Sequence, residues 1–166
     1  DDDMDICMRR PDYNRYLKVA KDIMPEGYEI FDMNTDADND NAIARIINGR
    51  NINCDGIHLE KFHGFPYVAG IDIFPLDYIA ADEEDDKFQC DLIDIVEKVK
   101  KLARNIENKC NEINLEKAPA ELELRLSQVE ELCGVTVDRN KSIAQQLLIL
   151  VDKLSGLYTE KEADYI

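Results

Sequence analysis

Acidic residues at the start of the chain are spaced as ligands of a divalent cation would be. Asp1, Asp3 and Asp5 alternate with other residues, and an apolar run at positions 6–8 follows them. On a β-strand, alternate side chains point to the same face, so these carboxylates share one face, and Met4, Ile6 and Met8 share the other. Like charges at this spacing repel one another unless a hard cation binds their oxygens. A solvated, frayed terminus is the alternative, and the apolar run argues against it.

A second acidic pattern lies in residues 70–79, the most hydrophobic stretch in the first half of the chain. Its only charged residues are Asp72 and Asp77. Asp72 lies among β-forming residues, which predicts a carboxylate in a buried strand, where it must be paired, protonated or bound to a metal. Asp77 follows Pro75, and a turn cap explains it well. A strand with several acids beside a strand with one acid is the minimum arrangement for two-metal phosphoryl transfer.

The two motifs together resemble the LicD family. The matching residues are Asp-Asp-Asp-Met-Asp-Ile from position 1, Met-Arg-Arg-Pro-Asp-Tyr from position 8, Tyr16 and Leu17, and Ile-Asp-Ile-Phe-Pro-Leu-Asp from position 71. The resemblance covers about residues 1–80, and two separated motifs in the same order are more specific than either motif alone. LicD proteins are similar to the nucleotidyltransferase superfamily, and some of them are phosphocholine transferases that act on cell-surface glycans.

The resemblance implies an enzyme that transfers phosphocholine or a similar group from a nucleotide diphosphate donor, such as CDP-choline, to a glycan hydroxyl. Asp3, Asp5 and Asp72 are then both the catalytic residues and the ligands of Mg²⁺ or Mn²⁺. The acceptor is expected to be a glycan such as teichoic acid or lipopolysaccharide, modified in the cytoplasm at the inner face of the membrane. Four further residues are expected to bind substrate: Asp1, Arg9, Tyr67 and Tyr78.

The family pattern also places a strand, a helix and a Gly-Ser type phosphate-binding turn before the acidic motif. Because the sequence begins inside that motif, we expect it to be trimmed there. Residues 1–166 alone are then expected to show no transfer activity and to self-associate through an exposed sheet edge. Two alternatives stay open: a non-catalytic module that binds divalent metal, and a degenerate transferase whose helical half binds a protein partner.

The net charge of the chain disfavours some classes of binding partner and allows others. Of its 166 residues, 36 are Asp or Glu and 20 are Lys or Arg, so the formal net charge is −16. A surface this acidic disfavours nucleic acid and anionic lipid, because both are bound mainly through Lys and Arg. It allows a nucleotide that is held through a metal ion. The sequence shows no apolar run of membrane-spanning length and no signal peptide.

Signals for other metal sites and for disulfides are weak. The acidic loop at residues 36–41 resembles the start of an EF-hand loop, but the Gly and Glu that such a loop needs are replaced. His58, Glu60 and His63 do not have H-E-x-x-H spacing, so no zinc site is expected. Five scattered cysteines, none in a C-x-x-C pair, predict thiols in core positions and a reducing compartment.

Hydrophobic periodicity predicts an α+β fold with a helical C-terminal half, and the resemblance implies that its sheet is nucleotidyltransferase-like, with the N-terminal part truncated. Residues 1–81 form the predicted catalytic core, and residues 82–166 form a helical region packed on the same domain. Residues 42–48 fit a strand or a helix equally. The predicted elements are strands at 2–8, 28–33, 57–62 and 67–79, the last two joined by a hairpin-like turn at 63–66, a helix from Pro11, and three helices after residue 82.

Overall fold

The computed structural model describes residues 4–35, 39–49, 52–64, 66, 70–109 and 117–165. In these residues the fold is α+β, as predicted, and the chain divides into two compact units, Asp1–Asp77 and Tyr78–Ile166. That the helical region packs on the catalytic core stays a prediction. The elements in chain order are β1 (Met4–Arg9), α1 (Arg10–Ile23), β2 (Glu29–Phe31), β3 (Ala44–Ile47), α2 (Gly56–Lys61), β4 (Gly70–Leu76), β5 (Ile79–Ala80), α3 (Glu83–Glu107), α4 (Ala118–Cys133), α5 (Ile143–Ser155) and β6 (Ala163–Tyr165).

A mixed four-stranded sheet forms the centre of the first unit, with strand order β1-β4-β3-β2. β1 pairs with β4 in parallel, from Met4 opposite Ile71 to Arg9 opposite Leu76. The β4–β3 and β3–β2 pairs are antiparallel. The acid-rich strand and the strand of Asp72 are therefore neighbours, as the sequence predicts, and β1 is an edge strand of the described sheet.

The helix α1 follows β1 without a loop and covers one face of this sheet. Pro11 lies in its first turn, where a missing N–H costs little, and the helix ends before Pro25. Met8 of β1 packs against the core that α1 closes, so the face that carries Asp5 is the opposite one. The buried members of this core are Tyr13, Ala20, Ile30, Ala44, Ile46 and Ile73.

Of residues 57–62, predicted as a strand, 57–61 lie in helix α2 instead, and Phe62 is its C-cap. The side chain of Asp55 accepts hydrogen bonds from two backbone N–H groups of the first turn, which makes it the N-cap. Alternation over six residues could not distinguish this short helix from a strand. The predicted hairpin at 63–66 is therefore also wrong, because the strands beside β4 are β1 and β3. The predicted strand at 67–79 is interrupted: β4 ends at Leu76 and β5 begins at Ile79.

Three helices build the second unit at the predicted positions, and their capping residues explain their bounds. Asp82 accepts hydrogen bonds from backbone N–H groups at the start of α3, and Ser142 does so for α5. Gly134 ends α4 with a left-handed φ of 63°, a conformation that glycine adopts at little cost. The apolar faces of the helices meet in one core, whose innermost side chains include Val96, Leu126, Val129 and Leu147.

An ion pair fixes the connection between α4 and α5. The Glu130 carboxylate accepts hydrogen bonds from the Arg139 guanidinium, one of them 3.0 Å long, and from the backbone N–H of Val137 at 2.7 Å. These donors favour the ionised carboxylate, so the pKa of Glu130 is lowered, first by the hydrogen bond from Arg139. The turn after α4 is therefore held by charge as well as by its glycine.

The strands β5 and β6 form a second, two-stranded antiparallel sheet that the sequence did not predict. Both are short, and strands of two or three residues are too brief to show an alternating pattern. No helix in the described part of the chain is long and apolar enough to span a membrane.

The prediction that the cysteines occupy core positions is wrong for three of the four described ones. Cys7, Cys54 and Cys90 are exposed, and Cys133 is half-buried. Cys110 lies outside the described residues. The position of Cys7 explains its exposure. On β1 it alternates with the residues that face α1, so it lies with Asp5 on the opposite face of the sheet.

We expect Leu126→Ala to lower the free energy of unfolding by about 2–5 kcal/mol, because it leaves a cavity in the helical core. Leu124→Ala changes the same residue type on the same helix, where the side chain is 65% exposed. This control should change the free energy by less than about 0.5 kcal/mol. Urea unfolding followed by circular dichroism measures both variants, and equal losses would contradict the orientation of α4.

Candidate functional site

One row of side chains crosses the four-stranded sheet on the face opposite α1. Asp5 on β1 is paired with Asp72 on β4, which is paired with Arg45 on β3. Phe31 on β2 is paired with Arg45 and ends the row. Paired residues point to the same face of a sheet, and adjacent strands lie about 4.8 Å apart. This acidic row therefore sets two carboxylates and a guanidinium side by side.

Asp72 is the buried carboxylate of the row, with 6% of the residue exposed. Arg45 binds it through both oxygens: Nε donates to Oδ1 and Nη2 donates to Oδ2, each at 2.5 Å. The Arg45 side chain itself is half-exposed. The sequence predicted that a buried acid here must be paired, protonated or bound to a metal, and in the described structure it is paired with Arg45. A two-bond contact of this kind also fixes the orientation of the carboxylate.

Asp5 is the exposed end of the row. Along β1 the residues facing α1 from Ile6 onward are half-buried and the alternate residues are exposed, which is the period-two pattern predicted for this segment. Asp5 and Asp72 are thus like-charged neighbours, one in water and one buried. Arg45, on the far side of Asp72, supplies a positive charge that offsets their repulsion.

A second charged pair lies at one end of the same two strands. Arg10, the first residue of α1, donates from Nε to Asp77 Oδ1 at 2.6 Å and from Nη2 to Asp77 Oδ2 at 2.7 Å. Arg10 is 8% exposed, and its guanidinium carbon lies 5.6 Å from the centre of the Tyr13 ring. The Asp77 carboxylate, predicted as a turn cap, is therefore bound by a side chain that directly follows the neighbouring strand β1.

The other predicted site residues are placed as follows. Arg9 is exposed at the end of β1, on the face of the acidic row. Tyr78 is buried in the second unit, with 7% of the residue exposed. Three predicted site residues lie outside the described residues: Asp1, Asp3 and Tyr67.

The chemistry of the acidic row suits a hard divalent cation. Carboxylate oxygens are the ligands that Mg²⁺ prefers, and each has two lone pairs, so Asp72 keeps acceptor sites beyond those that Arg45 uses. Among the described residues, no group of three or more His, Cys, Asp or Glu side chains is placed to hold a metal ion. The described part of the chain thus contains two of the three predicted ligands, Asp5 and Asp72.

The weaker metal patterns fall elsewhere. His58 lies on α2, and its ring centre is 4.6 Å from that of Phe62. His63 is exposed in the turn after α2, with a left-handed φ of 53°. The prediction that His58 and Glu60 share the face of a strand is therefore wrong, because the segment is helical. In the loop that resembles an EF-hand, residues 36–38 lie outside the described residues.

Sequence reasoning missed the basic partners of Asp72 and Asp77. Arg45 lies in a segment that periodicity could assign neither to a strand nor to a helix. The available signal was that Arg45 is a single charged residue among apolar neighbours. Because a buried acid requires a partner, Arg45 was a candidate for that role. Arg9 and Arg10 are adjacent residues of the same type, so the sequence could not tell which one is buried. The difference arises because β1 ends at Arg9 and α1 begins at Arg10.

Comparison of the chain with models of known protein families, with curated proteins and with solved structures gives no match. Its function is therefore argued from the acidic row and from the motifs that contain it.

We expect Arg45→Met to lower the free energy of unfolding by about 1–3 kcal/mol, because it leaves the buried Asp72 carboxylate without its charged donor. Combining it with Asp72→Leu should recover most of that loss, since no buried charge then remains. Arg15→Met is the control, because the Arg15 side chain is 78% exposed on α1. Urea unfolding measures all three. A double variant as unstable as Arg45→Met alone would show that the loss has another source.

Proposed function

We propose that the chain carries the acidic site of a metal-dependent phosphotransferase of the LicD type, on a nucleotidyltransferase-like sheet. The reaction moves phosphocholine or a similar group from a nucleotide diphosphate donor, such as CDP-choline, to a glycan hydroxyl. The proposal combines the resemblance of two separated motifs with the geometry of the acidic row, which contains one acid from each motif.

The observation that supports the proposal best is the register of β1 on β4. The resemblance assigns Asp5 and Asp72 to one catalytic centre, although 67 residues separate them in sequence, and they occupy directly paired positions on one face. A pairing shifted by one residue would have put the two carboxylates on opposite faces. The register thus joins the two acids that the resemblance assigns to one site.

The residues of the row are suited to distinct tasks. Asp5 is exposed and can bind a cation from solvent, together with Asp3 of the same motif. Asp72, held in one orientation by Arg45, is suited to bind the cation and to accept the proton of the acceptor hydroxyl. When bound, a divalent cation supplies the positive charge that neutralises the phosphoryl oxygens during transfer. Arg9, which is exposed on the same face, is the residue proposed to contact the donor phosphate.

A non-catalytic module of the same fold is the second candidate. The two-bond contact between Arg45 and Asp72 favours it, because a buried ion pair of this kind satisfies the carboxylate without a cation. The two candidates differ in what removal of the Asp72 charge does. An enzyme loses turnover, whereas a binding module loses only stability or affinity.

We expect Mg²⁺ or Mn²⁺ to raise the melting temperature, because a ligand that binds only the folded state stabilises it by mass action. At a concentration of about 100 times Kd, the stabilisation is about 2.7 kcal/mol. Asp3→Asn combined with Asp5→Asn should abolish the shift without lowering the melting temperature in the absence of metal, since it removes repulsion. Differential scanning fluorimetry with and without the cation measures this.

The control for the metal experiment removes the same charge elsewhere. Asp12→Asn combined with Asp22→Asn changes two exposed acids of α1 and should leave the metal-dependent shift intact. If the shift survives in the Asp3→Asn and Asp5→Asn variant, the cation binds at another place and the assignment of the acidic row is wrong.

We expect Asp72→Asn to lower the transfer rate by at least about 100-fold, the scale of losing one electrostatic stabiliser, while the fold is retained. Release of CMP from CDP-choline in the presence of a glycan acceptor measures the rate, and circular dichroism checks the fold. Because residues 1–166 alone are expected to show no transfer, wild type and Asp72→Asn are compared in a chain that also carries any residues preceding Asp1. Wild-type turnover by Asp72→Asn would rule out a catalytic role for this residue.

A further inference from the structure

We propose that Arg10 and Asp77 act as a register lock, a pair of positioning residues that prevents β1 from sliding along β4. By holding that register, they keep Asp5 opposite Asp72. The lock is a property of the strand pairing itself, and only its effect on metal binding rests on the function proposed above.

The ion pair lies directly beyond the end of the ladder that contains the acidic pair. Pairing of β1 with β4 ends at Arg9 opposite Leu76, and Arg10 and Asp77 are the residues that follow these two in the chain. Their separation of 67 residues in sequence is the same as that between Asp5 and Asp72. Whatever fixes Arg10 against Asp77 therefore also fixes which residue of β4 faces Asp5.

Burial specifies the register of β1 only in part. β1 is an edge strand of the described sheet, and four of its six residues are exposed. A slip by one residue would turn its apolar side outward, and burial opposes that. A slip by two residues would refill two of the three positions of Met4, Ile6 and Met8 with another apolar side chain and bring a charged residue only to the third, at one end, so burial opposes it less.

A two-residue slip would nevertheless destroy the acidic row. The strand would move by about 6.6 Å, and Asp5 would face Gly70 or Phe74 instead of Asp72. The Arg10–Asp77 pair opposes such a movement, because its hydrogen bonds of 2.6 and 2.7 Å require both side chains in place. Arg10 is also confined by the ring of Tyr13, which is 2% exposed in the core beneath α1.

The chemistry of the pair fits a role in specificity better than a role in stability. A buried ion pair can often be replaced by apolar residues of similar volume without loss of stability. Selection of one register is the best-attested use of a buried polar contact. The pair is also bidentate, so a lysine at position 10 would keep the charge but lose the two-bond geometry.

The test uses a variant that removes the lock without leaving a buried charge, Arg10→Met combined with Asp77→Leu. The matched control makes the same replacements in the exposed pair of α1, Arg15→Met combined with Asp12→Leu. A second control, Leu17→Ala, loosens the core under α1 while keeping the lock. Urea unfolding gives the free energy of unfolding of each variant, and the variants are then compared at urea concentrations where this free energy is equal.

Disulfide formation reports the register directly. Cys7 is paired with Phe74, so Phe74→Cys gives an in-register thiol pair. Leu76→Cys gives a pair that is two residues out of register, with Cα atoms about 8 Å apart and beyond the range that a disulfide bridges. The four other cysteines are replaced by serine: Cys54, Cys90, Cys110 and Cys133. Mass spectrometry after mild oxidation measures the fraction of each disulfide.

With the lock intact, we expect the disulfide between Cys7 and Phe74→Cys to form and that between Cys7 and Leu76→Cys to be nearly absent. In the Arg10→Met and Asp77→Leu variant the first should fall and the second should rise, whereas both controls should match wild type. Arg10→Lys should give an intermediate ratio. If the unlocked variant cross-links like wild type, or if Leu17→Ala shifts the ratio as strongly, the lock is disproved.

Metal affinity separates this inference from the proposed function. We expect the unlocked variant to bind Mn²⁺ about 10- to 100-fold more weakly, the scale of losing an outer partner of a metal site. Electron paramagnetic resonance of free Mn²⁺ measures the affinity. If the disulfide ratio changes but wild type binds no Mn²⁺, the lock stands and the metal site fails. If Mn²⁺ binds wild type and the unlocked variant equally, and the disulfide ratio shows the same register in both, the lock fails and the metal site stands.

Discussion

The parallel pairing of β1 with β4 is the contact on which the candidate site depends. It brings together acids from two distant segments, and it does so beside a residue that is buried and charged. That charge must be offset for the sheet to be stable. Asp72 on β4 and Asp77, one residue past the end of β4, are each bound by an arginine through two hydrogen bonds, Asp72 by Arg45 and Asp77 by Arg10. In a chain with a net charge of −16, each of these two acids is thus paired with an arginine.

Elements with strong local signals could be predicted from the sequence. Prolines mark both ends of α1, and capping residues mark the starts of α3 and α5 and the end of α4. The alternation along β1 and the apolar run around Asp72 identify two strands and the faces of their acids. In each case a few neighbouring residues carry the information, because capping, proline geometry and side-chain alternation act over one or two turns.

Features that depend on distant residues could not be predicted in this way. Nothing near Arg45 identifies Asp72 as its partner, because the two meet only when β3 pairs with β4. The burial of Arg10 rather than Arg9 depends on where β1 passes into α1. The helix α2 was missed for a different reason, since a run of six residues is too short for its period to be measured.

The separation of β1 and β4 along the chain has a consequence for folding. The intervening segment must close into a loop before any β1–β4 contact forms, and loop-closure entropy grows with length. Contacts this distant in sequence form slowly, whereas the turns of α3, α4 and α5 involve near neighbours. Asp5 and Asp72 are therefore expected to meet late, after most helical structure has formed. The chemistry of the row would then exist only in chains that have completed folding of the first unit.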